Sequence, residues 1–204
     1  MVEIRQAGPD DVAGIAHSLG RAFGDDPIFE FLVPGIDADT RATRCTPFFS
    51  ADTKIRLKQA SVWTTPDHAG AALWAPPGRW RTTIAQGLRL AGPIIRGSRG
   101  RALRGMSALS AVEKAHPKEP AHWYLAVLGT DPDHQGKGIG SALLRPVLDT
   151  CDADGVGAYL ESSKESNIPF YERHGFTVVR ELKLAKGAPS VWPMWRDPQP
   201  PELA

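Results

Sequence analysis

Residues 122–140 read HWYLAVLGTDPDHQGKGIG, and the order of features in this stretch decides what kind of fold the chain makes. His122 to Thr130 is a mostly apolar run with the length of a central strand. Asp131-Pro132-Asp133-His134 is a polar turn, and Gln135-Gly136-Lys137-Gly138-Ile139-Gly140 follows it. Ile139, Ala142, Leu143, Val147 and Cys151 then recur on one face of a helix. A strand that passes through a glycine loop into a helix makes an anion site. Glycines let backbone N–H groups turn inward with no Cβ in the way, and the helix start adds partial positive charge. The pyrophosphate of a cofactor is the natural occupant, and a tight strand-to-helix turn is the structural alternative. A P-loop is excluded because Lys137 is followed by Gly138 instead of Ser or Thr. A dinucleotide fold needs G-x-G-x-x-G near the first strand; here the spacing is G-x-G-x-G, two-thirds along the chain.

Working outward, residues 157–161 (GAYLE) predict the next strand, residues 168–174 a short helix ending at Gly175, and 176–183 and 190–196 two further strands. Upstream, residues 2–7 alternate as a half-buried strand, and Val12, Ile15, Ala16, Leu19 and Phe23 mark an amphipathic helix. A short helix over Phe29 to Leu32, a longer one over 39–58 and a hairpin of 60–65 with 69–75 come next. The Arg- and Gly-rich residues 80–115 predict two or three short helices, and the tail after Pro198 is expected to fray. The class is mixed α/β, and 204 residues suit one domain, 1–204, with its own core.

Composition narrows the function. Lys+Arg number 24 against Asp+Glu 23, and a net charge of +1 argues against a nucleic-acid partner. No apolar run of about 18 residues exists to meet a membrane, and Met1-Val2-Glu3 begins no signal peptide, so a cytoplasmic location is expected. Cys45 and Cys151 make neither a disulfide framework nor a metal site. The even charge hides a division. Residues 1–40 carry eight acids against Arg5 and Arg21, whereas residues 79–112 carry seven arginines (79, 81, 89, 96, 99, 101, 104) and no acid. Solvated helix faces, or an acidic mouth and a basic mouth, both fit.

Residues 128–144, LGTDPDHQGKGIGSALL, resemble the acetyl-CoA loop of the GNAT superfamily of N-acetyltransferases, whose pattern [QR]-x-x-G-x-[GA] is met by Gln135, Gly138 and Gly140. Residues 159–178 resemble the strand, short helix and Gly-Phe exit that follow it. Within the superfamily the chain is most similar to puromycin N-acetyltransferase-like proteins. That likeness rests on His116, Lys118, Glu119 and Pro120, on Asn167 with Pro169 to Arg173, and on Pro146. It is strong over 116–182 and faint elsewhere. Asn167 and Tyr171 stand four residues apart, closer than in the wider superfamily. The resemblance implies a GNAT fold: a mostly antiparallel sheet of about six or seven strands with a splayed central pair, flanked by helices. Residues 1–115 would form mainly the acceptor side, 116–182 the acetyl-CoA core and 198–204 a tail. It implies acetyl-CoA as acyl donor with no metal, a small-molecule amine as partner, and a monomer or homodimer.

In the family's reaction an uncharged amine attacks the thioester directly, so the site must hold the thioester, deprotonate an ammonium and protonate a thiolate. The resemblance assigns holding to the loop (Gln135, Gly136, Lys137, Gly138, Ile139, Gly140) and to strand amides near Val127 and Leu128. Lys137 adds charge near the pyrophosphate or is a solvated lysine. Tyr171 is the acid candidate, since a phenol of pKa about 10 is protonated at neutral pH. Asn167 contacts the pantetheine arm, caps a helix, or does both. Glu161 leads as base, with His116, Glu119 and His122 as competitors. Phe23, Asp25, Asp26, Phe29 and Phe31 offer aromatic surface beside carboxylates for the amine, with core packing the alternative for the rings. Trp80 and Trp123 are pocket candidates, and the other strand tryptophans are expected in the core. A non-catalytic acyl-CoA sensor and a protein lysine acetyltransferase are the competing functions.

Overall fold

The computed structural model describes residues 2–59, 61–81, 83–97, 110–184 and 187–199. Its elements run β1 (Arg5–Gln6), α1 (Val12–Ala22), α2 (Pro27–Leu32), α3 (Ala38–Leu57), β2 (Val62–Thr64), β3 (Gly70–Ala75) and α4 (Ile84–Gly97). The second half runs β4 (His122–Thr130), α5 (Ile139–Asp154), β5 (Gly157–Ser162), α6 (Ile168–Glu172), β6 (Thr177–Val178), β7 (Leu182–Lys183) and β8 (Ser190–Arg196). The strands lie in the order β1-β2-β3-β4-β5-β8-β6, with β7 also on β8. Among the described residues only β4 and β5 pair in parallel; every other pair is antiparallel. This is the expected mixed α/β GNAT architecture, with eight strands among the described residues where about six or seven were expected.

The sheet carries a core on each face. Strand β3 is buried throughout. Its period of two sends Ala72 and Trp74 to a cluster with Leu143, Leu144 and Val147 of α5. Ala71 and Leu73 face the opposite cluster, with Ile15 and Leu19 of α1 and Phe49 of α3. Two of the helices, α2 and α3, begin where acids cap them. The Asp26 carboxylate accepts the amides of Ile28 (2.9 Å) and Phe29 (3.2 Å), with Pro27 opening α2. Asp37 accepts the Thr40 amide at 2.8 Å and starts α3.

Two expectations change. The strand over 2–7 shrinks to Arg5–Gln6. The strand over 176–183 divides into β6 and β7, because three residues (179–181) face two of β8 between the paired positions. At that break the Val179 amide donates to Pro193 O (2.8 Å), and Pro193 has no N–H to return. Of the Arg- and Gly-rich region, 84–97 form one helix and 110–115 are helical; Arg99, Arg101, Arg104 and residues 200–204 of the tail lie outside the described residues. Among the described residues no helix is long and apolar enough to cross a membrane.

The segment from Gly24 to Ile36, whose Asp25 and Asp26 line the site, is held at three carbonyls by one buried cation. Arg41, 4% exposed, donates to Val33 O (3.2 Å), to Ile36 O (2.8 Å) and to Gly24 O. Replacing it removes charged donors from carbonyls that stay buried. Arg41→Met is therefore expected to lower unfolding free energy by about 3 kcal/mol, read as a drop in the urea midpoint at constant slope.

Candidate active site

The site begins with one irregularity in β4. Leu73 pairs with Val127 but its neighbour Trp74 pairs with Leu125, so Ala126 is an extra residue on the β4 side. The bulge reverses the alternation: Leu125 joins the α5-side core and Val127, two residues on, joins the α1 side. The parallel ladder with β5 runs from His122↔Gly157 to Leu125↔Leu160 and ends there. Beyond that point β4 and β5 diverge around a cleft of about 860 Å³, walled by both strands, the glycine loop, α6 and the segment after α1.

The glycine loop forms one end. Gly136 (φ 74°) and Gly138 (φ 79°, at the start of α5) are in the left-handed region, where a side chain is strained. A Cβ built on either would meet nothing within 4 Å. Backbone conformation, and not crowding, therefore requires these glycines, and the space before the loop stays free. Gly140 is different: its Cβ would come 3.2 Å from the Phe170 ring, so it allows α5 and α6 to approach. Gln135 holds the loop by donating to Thr130 O at 3.2 Å. A wide cleft ending in glycine amides at a 16-residue helix fits an extended donor with an anionic end. Among the described residues no group of three or more His, Cys, Asp or Glu is placed to hold a metal.

Most of the residues singled out from sequence meet on this cleft: Val127, Leu128, Gln135, Gly136, Gly138, Ile139, Gly140, Glu161, Asn167, Tyr171, Phe23 and Asp26. Three do not. Lys137 turns back to donate to Asp133 O at 3.0 Å. Phe29 packs among Phe23, Phe48 and Phe49, with ring centroids 5.2–5.8 Å away. Trp123 meets Trp74 edge-on at 6.5 Å on the α5-side core, because its place in β4 points it there. Asp26 reaches the cleft, but its carboxylate is already engaged: besides the two amides of α2 it accepts the Ser163 hydroxyl. Asn167 precedes α6 without any side-chain cap, so its amide is left for the cleft. Arg79 and Arg81 stand beside Asp52 of α3, not on this cleft.

Tyr171 is buried, packed edge-on against Phe170 and Phe176. Burial, reinforced by the nearby Asp26 carboxylate, pushes its phenol well above the usual tyrosine range. Glu161 is nearly buried (7% exposed side chain), and its Oε1 has no hydrogen-bond partner; His116 Nδ1 stands 3.4 Å from it. Burial and the Glu161 carboxylate push up the phenols of Tyr124 and Tyr159 beside it.

Several contributors carry no local signature in the sequence. Ser163 and Lys164 tie the end of β5 to Asp26 and to Asp25 (2.7 Å), across 137 and 139 residues of chain. Arg21 ties α1 to the turn before the glycine loop through Asp131 (3.2 Å) and Asp133 (2.8 Å). Ser141, at the start of α5, meets His174 Nε2 at 3.0 Å.

The pattern of the acetyltransferase (GNAT) family matches residues 63–176, which include β3, β4, the glycine loop, β5 and α6. An uncharacterised N-acetyltransferase of Schizosaccharomyces pombe is 29% identical over 184 residues, 86% of this chain and 74% of that one. Among solved structures, a Corynebacterium glutamicum protein described as histone acetyltransferase HPA2 and related acetyltransferase superposes with TM-score 0.65 at 21% identity, covering all of both chains. Arylalkylamine N-acetyltransferase 2 of Aedes aegypti superposes with TM-score 0.63 at 13% identity over 97% of this chain and 99% of that one. Family pattern, sheet order and the bulged, splayed β4 agree: the chain belongs to the acetyltransferase (GNAT) family.

Proposed function

We propose that the protein transfers the acetyl group of acetyl-CoA directly to the primary amine of a small molecule. The observation that carries this reading is that one cleft is lined at once by the glycine loop, by Glu161 and by Tyr171. Acetyl-CoA, when bound, supplies the thioester to be attacked. The amides of residues 135–140 hold its pyrophosphate, Asn167 contacts its pantetheine arm, and the strand amides near Val127 and Leu128 orient its carbonyl. Glu161 takes the proton from the incoming ammonium, and Tyr171 gives its proton to the departing thiolate. A phenol raised by burial is fully protonated when that proton is needed.

The likeness of His116, Lys118, Glu119, Pro120 and the Asn167–Arg173 segment to puromycin N-acetyltransferase-like proteins makes an amino-bearing antibiotic or nucleoside a leading acceptor class. The name of the mosquito relative adds arylalkylamines. Phe23 at the cleft supports an amine with an apolar body.

Thiol release from acetyl-CoA across aminonucleosides, aminoglycosides, arylalkylamines, polyamines and lysine peptides tests the reading. Turnover on a small amine supports it; turnover on peptides alone, or tight CoA binding without turnover, overturns it. Tyr171→Phe is expected to lower kcat roughly 100-fold with CoA affinity unchanged by calorimetry. Because the acid must be protonated and its pKa is raised, wild-type kcat is expected to show no alkaline loss up to about pH 9.5. A loss below that pH assigns the acid to another group. Gly138→Ala places a Cβ residue in the left-handed region at the loop and is expected to weaken CoA binding about tenfold, about 1.4 kcal/mol.

A further inference from the structure

Behind Glu161 lies a chain of buried side chains whose proton positions follow from what each atom can accept. His122 Nδ1 is 2.7 Å from Pro120 O, and a carbonyl only accepts, so Nδ1 carries the hydrogen. Burial shifts His122 toward its neutral form, which leaves Nε2 bare. That bare Nε2 is 3.0 Å from His116 Nε2, so His116 must donate there. A neutral His116 then turns a bare Nδ1 toward Glu161 Oε1 at 3.4 Å. With Glu161 ionised, two lone-pair atoms oppose each other in a buried place, and the only other donors beside this carboxylate among the described residues are the phenols of Tyr124 and Tyr159. The contact is attractive only with one more proton in it, as a Glu161 carboxyl or as a His116 imidazolium beside a carboxylate.

The surroundings suit the imidazolium. The Trp80 indole stacks on the His116 ring with centroids 3.9 Å apart at 21°, presenting the face that attracts a cation. Tyr124 and Tyr159 meet the same ring edge-on at 4.6 and 4.7 Å, and the residue is 5% exposed. The ionisable groups facing this assembly are His122 and Tyr124 of β4, Tyr159 and Glu161 of β5, Arg56 of α3, Arg180 after β6, and Glu119.

We propose that Glu161 and His116 work as one proton-holding pair, with His122 fixing the tautomer that aims His116 Nδ1 at Glu161. The proposal rests on the acetyltransferase reading above. The ammonium gives one proton to Glu161, which faces the cleft; the proton moves on to His116 Nδ1, and Glu161 is again a carboxylate beside the nitrogen as that nitrogen attacks. The chain of rings ends at the Pro120 carbonyl, which cannot take up a proton, so the pair stores the proton and returns it through the cleft. Glu161 is the catalytic residue; His116 and His122 act through it and are positioning residues.

The first test needs no turnover. Nitrogen–proton correlation NMR on the full chain labelled with ¹⁵N-histidine reads each ring's tautomer. His122 is expected as the Nδ1–H form and neutral His116 as the Nε2–H form. In Glu161→Gln, whose amide can donate to the bare Nδ1, His116 is expected to stay neutral over a range in which the wild-type ring takes up a proton. An Nε2–H form of His122, or identical His116 titrations in both proteins, overturns the proposal. The second test is kinetic. His116→Gln is expected to lower kcat/KM roughly 100-fold and to move its acid limb to lower pH, with CoA affinity unchanged. His122→Asn, which can still donate to Pro120 O, is expected to retain most of the activity. An acid limb in His116→Gln that coincides with the wild type overturns the proposal. If the tautomers are as stated and no amine is acetylated, the proton-holding pair stands and the substrate reading is what fails.

Discussion

The cleft depends on one extra residue. With Ala126 inserted opposite β3, β4 cannot remain in step with both neighbours. It stays with β3 as far as Gly70↔Thr130 and leaves β5 after Leu125. A parallel pair deep in a sheet would ordinarily continue its ladder and bury both strands on both faces. Here the ladder stops with five residues of β4 still to run, and the backbone on that side turns to open space. The glycine loop follows directly from the freed end of β4, so the same divergence sets where the helix N-terminus points. Without the bulge no channel would lead to the loop.

That contrast explains what the sequence made legible. The glycine loop was readable because its need is local: positive φ at Gly136 and Gly138 and a helix beginning at Ile139 are fixed by consecutive residues. The order of strands and helices was readable from periodicity for the same reason. The bulge at Ala126 was not, because nothing in HWYLAVLGT distinguishes a strand of regular alternation from one whose alternation reverses midway. The misplacing of Trp123 has this origin: its side of the sheet follows from pairing with distant chain, Ala158 of β5. The division of 176–183 was in principle visible at Pro193, but only once β8 was known to be the partner.

The acidic first forty residues show how composition misleads when geometry is absent. Read as charge alone, they suggested a mouth that receives a cation. In the fold, Asp26 and Asp37 cap helices, and Asp11 accepts Arg5 at 2.6 and 2.8 Å, the Gly8 amide and His68. The Arg5 guanidinium is the main reason the Asp11 carboxyl is held far below its usual range, against the opposing effect of burial. Asp25 pairs with Lys164. These carboxylates have partners already, so their collective attraction for an amine is much smaller than their number implies. They hold the first-half elements together, and Glu161, from the far end of the chain, is left without a hydrogen bond to Oε1.

The placement of Glu161 and Tyr171 follows from the period of a strand. Leu160 belongs to the core beneath α5, and so does Tyr171. Glu161, one residue along β5, must face the other way, with Tyr159 and His116. Tyr171 and Glu161 therefore pack on opposite faces of one sheet, and the gap between β4 and β5 is the passage that joins them. Direct transfer asks for this separation. In the proposed reaction a thiolate leaves toward one face while an ammonium arrives from the other, and the two proton transfers occur without either group neutralising its opposite. Side by side on one face, Tyr171 and Glu161 would hydrogen-bond to each other, and neither would be free for the substrate. The bulge that opens the passage and the alternation that divides the two groups are properties of backbone register, so the chemistry is fixed before any side chain in the cleft is chosen.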